Sequence, residues 1–265
     1  MAASAEERRA RDILAALDER RQIAPSSDAA FDLPAAYRVA SHVRRLREAR
    51  GERVVGRKIG FTNTTIWDEY GVHAPIWGHV YDTTLRGLDA PLPLAAFVEP
   101  RIEPEIAVRL ARAPEPGMDE AALMACVEWV AHGFEIVQSL HPGWRFAGPD
   151  TVAAFGLHGA LLLGPAAPVA DAAAWRAALS DFGITLLKDG VEADRGHARN
   201  VLGGGPLTAL RHLVEELARH RGPPLAAGEV VTTGTLTRAL PVAPGETWST
   251  ALDGLPLPGA RLTLR

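Results

Sequence analysis

The spacing of apolar and polar positions divides the chain into a helical beginning and a strand-rich remainder. Residues 5–22 carry apolar side chains three and four positions apart among charged residues, and a second such stripe follows Pro34. This spacing is typical of amphipathic helices, and proline is favoured in a first helical turn. The sequence therefore predicts two helices before residue 50.

From residue 54 onward, short alternating or continuously apolar runs replace the helical stripes and predict strands. The predicted strands cover 54–62, 99–110, 133–139, 157–163, 229–235, 248–252 and 261–264. Asp189-Gly190 lies between two further runs, at 184–188 and 191–193, and this arrangement predicts a β-hairpin. Further helices are expected at 119–131, 175–179 and 206–217.

Residues 63–90 are expected to form a loop-rich connection, because they are polar and aromatic, as segments that cover a site often are. The strands are not regularly followed by helices, which disfavours a doubly wound parallel sheet. We expect an α+β fold with a rolled or sandwiched mixed sheet. A single domain would cover residues 1–265, with a helical segment at 1–50 and a β-rich part at 51–265.

The predicted strand at 99–110 alternates charged and apolar side chains. Alternation puts Glu103 and Glu105 on one face of a strand and isoleucines on the other. Two adjacent ionised carboxylates repel each other unless a cation or a shared proton lies between them, and a hard divalent cation prefers such oxygen ligands. A solvated edge strand with its polar face outward is the alternative, which this segment taken alone favours.

Two other predicted strands carry a charge in an unusual setting. Lys58 has only Gly56 and Gly60 beside it on its face, which leaves space over the ammonium group, although an exposed lysine on an edge strand has the same pattern. Glu135 lies among apolar neighbours, and a buried carboxylate requires a partner. Together with the acidic strand, these residues make a ligand site the better hypothesis.

Composition excludes several classes of function. The 265 residues are 47% hydrophobic and 23% charged, with a net charge of −4, and there is no basic patch for nucleic acid or for a membrane surface. Cys126 is the single cysteine, so an internal disulfide and a cysteine-based zinc site are excluded, and we expect an inert thiol on a helix face. No Gly-x-Ser-x-Gly elbow is present, which disfavours a serine hydrolase. The charged N-terminal segment and the lack of a long apolar run predict a cytoplasmic protein.

Four motifs, in this order and spacing, resemble the 2-keto-4-pentenoate hydratase / 4-oxalocrotonate decarboxylase family of the fumarylacetoacetate hydrolase superfamily. They are Gly56-Arg-Lys-Ile-Gly-Phe-Thr62, Pro100-Arg-Ile-Glu-Pro-Glu-Ile-Ala107, Phe134-Glu-Ile-Val137 and Ala227-Gly-Glu-Val-Val-Thr-Thr-Gly-Thr-Leu-Thr-Arg238. The resemblance covers nearly the whole chain and implies a mixed β-sandwich roll, a divalent cation (Mg²⁺ or Mn²⁺) and a homo-oligomer. It also implies metal carboxylates at Glu103, Glu105 and Glu135, an active-site lysine at Lys58, and an acidic residue at Asp82.

The chain departs from the family pattern at several polar positions. Residues that are often acidic or polar in the family are replaced by Ile76, Gln138, Ala153, Ala154 and Phe155. The metal and lysine positions are kept. We therefore expect the same core chemistry on a different, more apolar substrate.

The resemblance implies a hydratase that adds water to a 2-hydroxy-dienoate or 2-oxo-enoate, in the catabolism of aromatic or related carboxylic acids. The metal would act as a Lewis acid on an enolate, and Lys58 would neutralise charge or move protons. Asp82 is the first candidate to activate water, and His79 and His158 are the second.

Substrate contacts are expected from Arg101, Gly60 and Thr235, although Arg101 could equally pair with Glu99. The alternatives are decarboxylation of a 4-oxalocrotonate-like 2-oxo acid, carbon–carbon bond hydrolysis or tautomerisation of an acylpyruvate, and non-catalytic binding of a small carboxylate.

Overall fold

The computed structural model of the protein describes residues 3–26, 28, 30–64, 67–70, 72–220 and 222–265. Its α-helices are α1 (Ala5–Asp18), α2 (Leu33–Ala49), α3 (Trp67–Tyr70), α4 (Glu120–Met124), α5 (Gly148–Ala153), α6 (Ala172–Ser180) and α7 (Pro206–Arg219). Short 3₁₀ turns occur at Leu94–Ala96, Pro142–Trp144, Phe155–Leu157 and Ala198–Asn200.

The strands follow in chain order. They are β1 (Val54–Gly60), β2 (Ile76–Tyr81), β3 (Leu85–Gly87), β4 (Arg101–Leu110), β5 (Val127–Val137), β6 (His158–Leu163), β7 (Ala167–Pro168), β8 (Gly183–Lys188), β9 (Val191–His197), β10 (Val230–Thr235), β11 (Leu240–Pro241), β12 (Thr247–Asp253) and β13 (Arg261–Thr263).

The described strands form a mixed sheet and a smaller antiparallel sheet. The nine-stranded sheet has the order β2-β1-β10-β4-β5-β6-β3, with β11 paired to β4 and β7 paired to β5. Its β1–β10 and β3–β6 pairs are parallel. The sheet curls, since β2 at one end contacts β6 near the other. The second sheet has the order β13-β12-β8-β9. The predicted α+β fold with a mixed, rolled sheet is confirmed.

The two predicted N-terminal helices are also confirmed. The Ser4 side chain accepts from the amide of Glu7 and the Glu7 side chain accepts from that of Ser4, which satisfies backbone donors at the start of α1. Asp32 caps α2 in the same way by accepting from the amide of Ala35. The apolar stripes of both helices pack with α5 into one buried cluster. Burial of each such aliphatic side chain contributes roughly 1.5–3 kcal/mol.

The two faces of β4 have different surroundings. Ile106 and Val108 pack with Leu210 and Leu213 of α7 in the largest apolar cluster. The opposite face, with Glu103 and Glu105, points into the curl of the sheet. Because β4 lies between β10 and β5, the alternative of a solvated edge strand is wrong.

Two local predictions are also wrong. The helix expected from Asp119 to Ala131 ends at Met124, and β5 begins at Val127. The apolar spacing of residues 127–130 fits the period of a helix as well as that of a strand. These residues form a strand because they pair with β4. Cys126 therefore lies between the two elements rather than on a helix face, and burial raises the pKa of its thiol.

The segment 63–90, expected to be loop-rich, contains α3, β2 and β3, and its residues 65, 66 and 71 lie outside the described part. Six consecutive residues of it pair with β1 as β2, which the loop prediction missed. None of the described helices is long and apolar enough to cross a membrane.

Candidate metal centre and active site

Three glutamates converge inside the curl of the large sheet. Glu103 and Glu105 lie on β4, and the antiparallel register places Glu135 of β5 directly opposite Glu103. One carboxylate oxygen from each glutamate lies within 4.8 Å of the others. Glu105 and Glu135 are fully buried, and Glu103 is 9% exposed. The structure thus brings together the three residues that were predicted as metal ligands.

Glu105 and Glu135 each have one oxygen that is held and one that forms no hydrogen bond. Oε2 of Glu105 accepts from the amide of Gly234 at 2.9 Å and from the hydroxyl of Thr232, while its Oε1 has no hydrogen-bond partner. Oε1 of Glu135 lies 2.6 Å from Nδ1 of His158, and its Oε2 has no hydrogen bond and faces the ammonium of Lys58 at 3.3 Å. Buried carboxylate oxygens without hydrogen bonds are unfavourable in a protein alone and suit a cation.

The pKa values of the three glutamates indicate that an additional positive charge would stabilise the cluster. Burial raises the pKa of Glu105 to about 8, and the charge of Glu135 adds to this while Lys58 opposes it. Burial also raises the pKa of Glu103 well above its ordinary value, and that of Glu135. Hard oxygen donors of this kind are the ligands that Mg²⁺ and Mn²⁺ accept.

Lys58 is a buried cation beside these glutamates. It is 2% exposed on β1, between β2 and β10, so the alternative of an exposed edge lysine is wrong. Its Nζ lies 3.3 Å from Oε2 of Glu135, as an ion pair. Burial lowers the pKa of Lys58, but the charges of the three glutamates outweigh it and raise the pKa above its ordinary value. Lys58 therefore carries its proton, and it is the partner that the buried Glu135 requires.

Glycines make room for the Lys58 side chain. A Cβ atom on Gly60 would lie 3.0 Å from Nζ, and one on Gly156 would lie 3.3 Å from Cδ. Gly78 pairs with Lys58 across β1 and β2. Of the two glycines predicted to leave space over Lys58, Gly60 does so, and Gly156 from a distant turn extends the space. A Cβ atom on Gly56 would instead lie 1.9 Å from the carbonyl oxygen of Val230, so Gly56 allows β1 to approach β10.

His158 lies behind Glu135. Its Nδ1 faces Oε1 of Glu135, and its Nε2 lies 2.9 Å from the hydroxyl oxygen of Thr84. Burial keeps the pKa of His158 well below its ordinary value, and the charge of Lys58 lowers it further. His158 is thus held between the carboxylate of Glu135 and the hydroxyl group of Thr84, so it fixes the orientation of a candidate ligand.

Two other candidates for water activation lie elsewhere. Asp82 follows β2 and accepts from Nε of Arg53 at 2.9 Å and from its amide at 3.0 Å. These hydrogen bonds lower the pKa of Asp82, and the carboxylate does not line the cleft described next. His79 lines a small cavity on the α2 side of β2, next to Trp77 and Tyr81.

A cleft leads to the glutamates. Its lining, within the described part of the chain, comprises Lys58, Gly60, Phe61, Glu103, Val137, Trp144, Gly156, Leu157, Thr235 and Ala239. Three predicted site residues, Lys58, Gly60 and Thr235, thus meet Glu103 at one opening. The guanidinium carbon of Arg101 lies 4.2 Å from the ring centroid of Trp144, and Glu99 accepts from the amide of Gly143.

The replaced family positions lie in different surroundings. Ile76 borders the site, since a Cβ atom on Gly60 would lie 3.5 Å from its Cγ1. Gln138 is buried and accepts from the amide of Val98 at 3.1 Å. The remaining three, Ala153, Ala154 and Phe155, pack against the N-terminal helices.

Residues that support Glu105 were missed at the level of sequence. Thr232 and Gly234 bind its Oε2 from a point where the register between β10 and β4 shifts. Gly234 has φ +97°, and a Cβ atom there would lie 1.8 Å from Oγ1 of Thr62. A glycine inside a strand pattern often marks such a bulge or close approach, and this signal was available in Thr232-Thr-Gly-Thr235.

Comparison with known proteins identifies the family. The model of the fumarylacetoacetate hydrolase C-terminal domain matches residues 72–260. The chain belongs to the fumarylacetoacetate hydrolase family. Within this family, it is 34% identical over 250 residues to 2-hydroxyhexa-2,4-dienoate hydratase of Comamonas testosteroni, with 91% of this chain and 90% of that enzyme covered. It is also 34% identical over 242 residues to 2-keto-4-pentenoate hydratase of Burkholderia vietnamiensis, with 89% and 88% covered.

One solved structure resembles this protein over nearly the full length of both chains. This is 4-oxalocrotonate decarboxylase from Pseudomonas putida G7, complexed with magnesium and adipate. It matches the fumarylacetoacetate hydrolase fold described here with a TM-score of 0.89 and 26% sequence identity, covering 98% of this chain and 97% of that chain. The family resemblance predicted from the four motifs is confirmed.

Proposed function

We propose that this chain is a divalent-metal-dependent hydro-lyase that adds water to a 2-hydroxy-2,4-dienoate, or to its 2-oxo-enoate tautomer, in the catabolism of aromatic or related carboxylic acids. The observation that carries the proposal is the convergence of Glu103, Glu105 and Glu135 beside Lys58 at a cleft, with two buried carboxylate oxygens that form no hydrogen bond. The names of two relatives, a dienoate hydratase and a pentenoate hydratase, support the reaction class.

The three glutamates would hold Mg²⁺ or Mn²⁺. Oε1 of Glu105 and Oε2 of Glu135, which form no hydrogen bonds, are the natural donors, together with an oxygen of Glu103. When bound, the cation supplies Lewis-acid chemistry toward the adjacent oxygens of a 2-oxo acid. The magnesium complex of the decarboxylase with the similar structure supports this choice of cofactor.

Lys58 supplies a fixed positive charge and a proton. Its ammonium reaches both the glutamates and the cleft, so it can donate a hydrogen bond to a substrate oxygen on which negative charge develops. Hydration adds a hydroxyl group to one carbon and a proton to another, and Lys58 is the proton donor that lines the cleft. The remaining lining residues exclude bulk water from this charge.

The assignment of the group that activates water stays a prediction. His158 lies one hydrogen bond behind Glu135, which fits a positioning role better than contact with substrate. Asp82 is ion-paired with Arg53. The kinetics of His158→Ala and Asp82→Asn test the role directly.

Decarboxylation of a 4-oxalocrotonate-like 2-oxo acid is the second candidate function. The structural likeness to 4-oxalocrotonate decarboxylase over nearly the full length of both chains favours it. Both reactions start from a 2-oxo or 2-hydroxy acid, so the same glutamates and Lys58 serve either. The products distinguish them: a hydratase retains every carbon of its substrate, and a decarboxylase releases carbon dioxide.

Product analysis tests the proposal. Purified protein with Mg²⁺ or Mn²⁺ would be incubated with a 2-hydroxydienoate, 4-oxalocrotonate and an acylpyruvate, and the products identified by mass spectrometry. We expect a 4-hydroxy-2-oxo acid from the dienoate, loss of activity with a chelator, and loss of activity in Glu105→Gln. Glu128→Gln is the matched control, because this exposed glutamate of β5 pairs with Arg109 away from the cluster. Carbon dioxide as the main product would favour the second candidate, and no metal-dependent conversion would refute both.

The predictions of a homo-oligomer and of a cytoplasmic location belong to the same proposal. Light scattering coupled to size-exclusion chromatography measures the first, and fractionation of the source cells measures the second.

A further inference from the structure

We infer that one wall of the cleft binds the distal end of the substrate and selects a hydrocarbon-ended 2-oxo or 2-hydroxy acid over one that ends in a second carboxylate. This inference rests on the proposed function, because it names the members of that substrate class which the same site accepts. The apolar wall is defined by one set of lining residues: Phe61, Val137, Trp144, Leu157 and Ala239.

The apolar wall is continuous with the charged floor of the cleft. Lys58 and Glu103 line the same opening as the wall. Val137 also lies on β5 two residues beyond Glu135, on the same face of that strand. A substrate whose carboxylate and adjacent oxygen lie at the floor therefore has the wall as the next surface along its carbon chain.

Three members of the apolar wall adopt backbone conformations that bulky residues rarely occupy. Phe61 has φ 54°, Trp144 has φ 59° and Leu157 has φ 64°. The left-handed region is unfavourable for side chains with a Cβ atom, and glycine or asparagine is the usual occupant. Strained residues of this kind concentrate at binding and active sites, where the strain is retained because the side chain is needed there.

The lining has no spare positive charge for a second carboxylate. Lys58 is the single cation among the described residues that line the cleft, and it already pairs with Glu135. Arg101 is not part of the lining, and its guanidinium group covers the ring of Trp144. Ile76 adds hydrocarbon beside Gly60. A distal carboxylate would lose its hydration against this surface without gaining a partner, which is unfavourable.

Binding of saturated 2-oxo acids tests the inference without turnover, because these compounds have the reactive head group but no double bond to hydrate. Pyruvate, 2-oxohexanoate and 2-oxoadipate form the panel, and calorimetry in the presence of Mg²⁺ measures their affinities. Pyruvate carries the head group alone, and the other two differ only in a terminal methyl or carboxylate.

Each methylene buried on the apolar wall is expected to improve affinity roughly 4-fold, so 2-oxohexanoate, with three more methylenes, should bind up to about 60-fold more tightly than pyruvate. We expect 2-oxoadipate to bind at least about 10-fold more weakly than 2-oxohexanoate. Equal or tighter binding of 2-oxoadipate would overturn the inference and leave the proposed function standing. Failure of all three acids to bind would overturn both.

Two variants locate the effect. Val137→Ala shortens a wall residue that has regular strand conformation. It should weaken the binding of 2-oxohexanoate roughly 3- to 10-fold and change the affinity for pyruvate less than about 2-fold. Val130→Ala on the same strand is the control, because Val130 packs in the cluster below the sheet and should leave the ratio of the two affinities unchanged. Ala239→Arg adds a cation to the wall and should shift the preference at least about 10-fold toward 2-oxoadipate. Unchanged preferences in both wall variants would show that the substrate end binds elsewhere.

Discussion

Glu105 makes the stability of the metal-free protein depend on pH. Its pKa is raised from 4.5 to about 8 in the folded state, so the folded protein retains a proton that the unfolded chain releases. The stabilisation is present below pH 4.5 and is lost as the pH rises through about 8. A shift of roughly 3.5 units corresponds to about 5 kcal/mol of unfolding free energy over this window, since each unit is about 1.4 kcal/mol. A cation that binds only the folded state opposes the loss.

Urea denaturation between pH 5 and 8.5, with a chelator or with saturating Mg²⁺, measures this dependence. We expect the unfolding free energy to fall with pH in the chelator and to fall much less with Mg²⁺. Glu105→Gln should make the curve in the chelator less steep, because the amide does not ionise. Glu103 and Glu135, whose pKa values are also raised, should keep part of the slope. Glu128→Gln, at an exposed position, should keep the wild-type slope. Stability that is independent of pH in the chelator, or a slope in Glu105→Gln as steep as in the wild type, would refute the reasoning.

Three further predictions concern the residues around the glutamates. Lys58→Met should lower kcat at least about 1,000-fold. Mg²⁺ binding, measured by calorimetry, should stay equal or become tighter, because a competing cation is removed. Weaker Mg²⁺ binding would contradict the assigned role. His158→Ala removes the hydrogen-bond partner of Oε1 of Glu135 and should weaken Mg²⁺ binding about 10- to 100-fold, with a smaller effect on kcat at saturating Mg²⁺. A larger loss of kcat than of Mg²⁺ affinity would indicate direct contact with the substrate. Asp82→Asn removes only the charge that pairs with Arg53 and should retain at least about one third of kcat, whereas a loss of about 100-fold would assign water activation to Asp82.

The strand periodicity of the acidic segment predicted its two glutamates well. Glu103 and Glu105 are two residues apart, and this spacing places them on one face whatever the rest of the chain does. The position of Glu135 opposite Glu103 is a matter of register between β4 and β5, which local patterns do not determine. The assignment of Glu135 as a third ligand therefore came from the family resemblance and not from the spacing of residues.

Other features depended on long-range contacts and were missed or misassigned. Residues 127–131 were predicted as helix because their apolar spacing fits both periods, and only pairing with β4 selects the strand. The partner of the buried Glu135 was not found by inspection of its neighbours in sequence, because Lys58 is far away along the chain. The surroundings of Asp82 depend on Arg53, which precedes β1 and is hydrogen-bonded to Asp82 at the end of β2. Each of these contacts joins elements whose proximity is set by the whole sheet.

The order of the strands makes the centre depend on a late part of the chain. β10 is inserted between β1, which carries Lys58, and β4, which carries two of the glutamates. The β4–β5 pair is close in sequence, whereas β10 begins only at residue 230. The strands that carry the three glutamates are therefore synthesised well before the strand that joins them to β1 and its lysine.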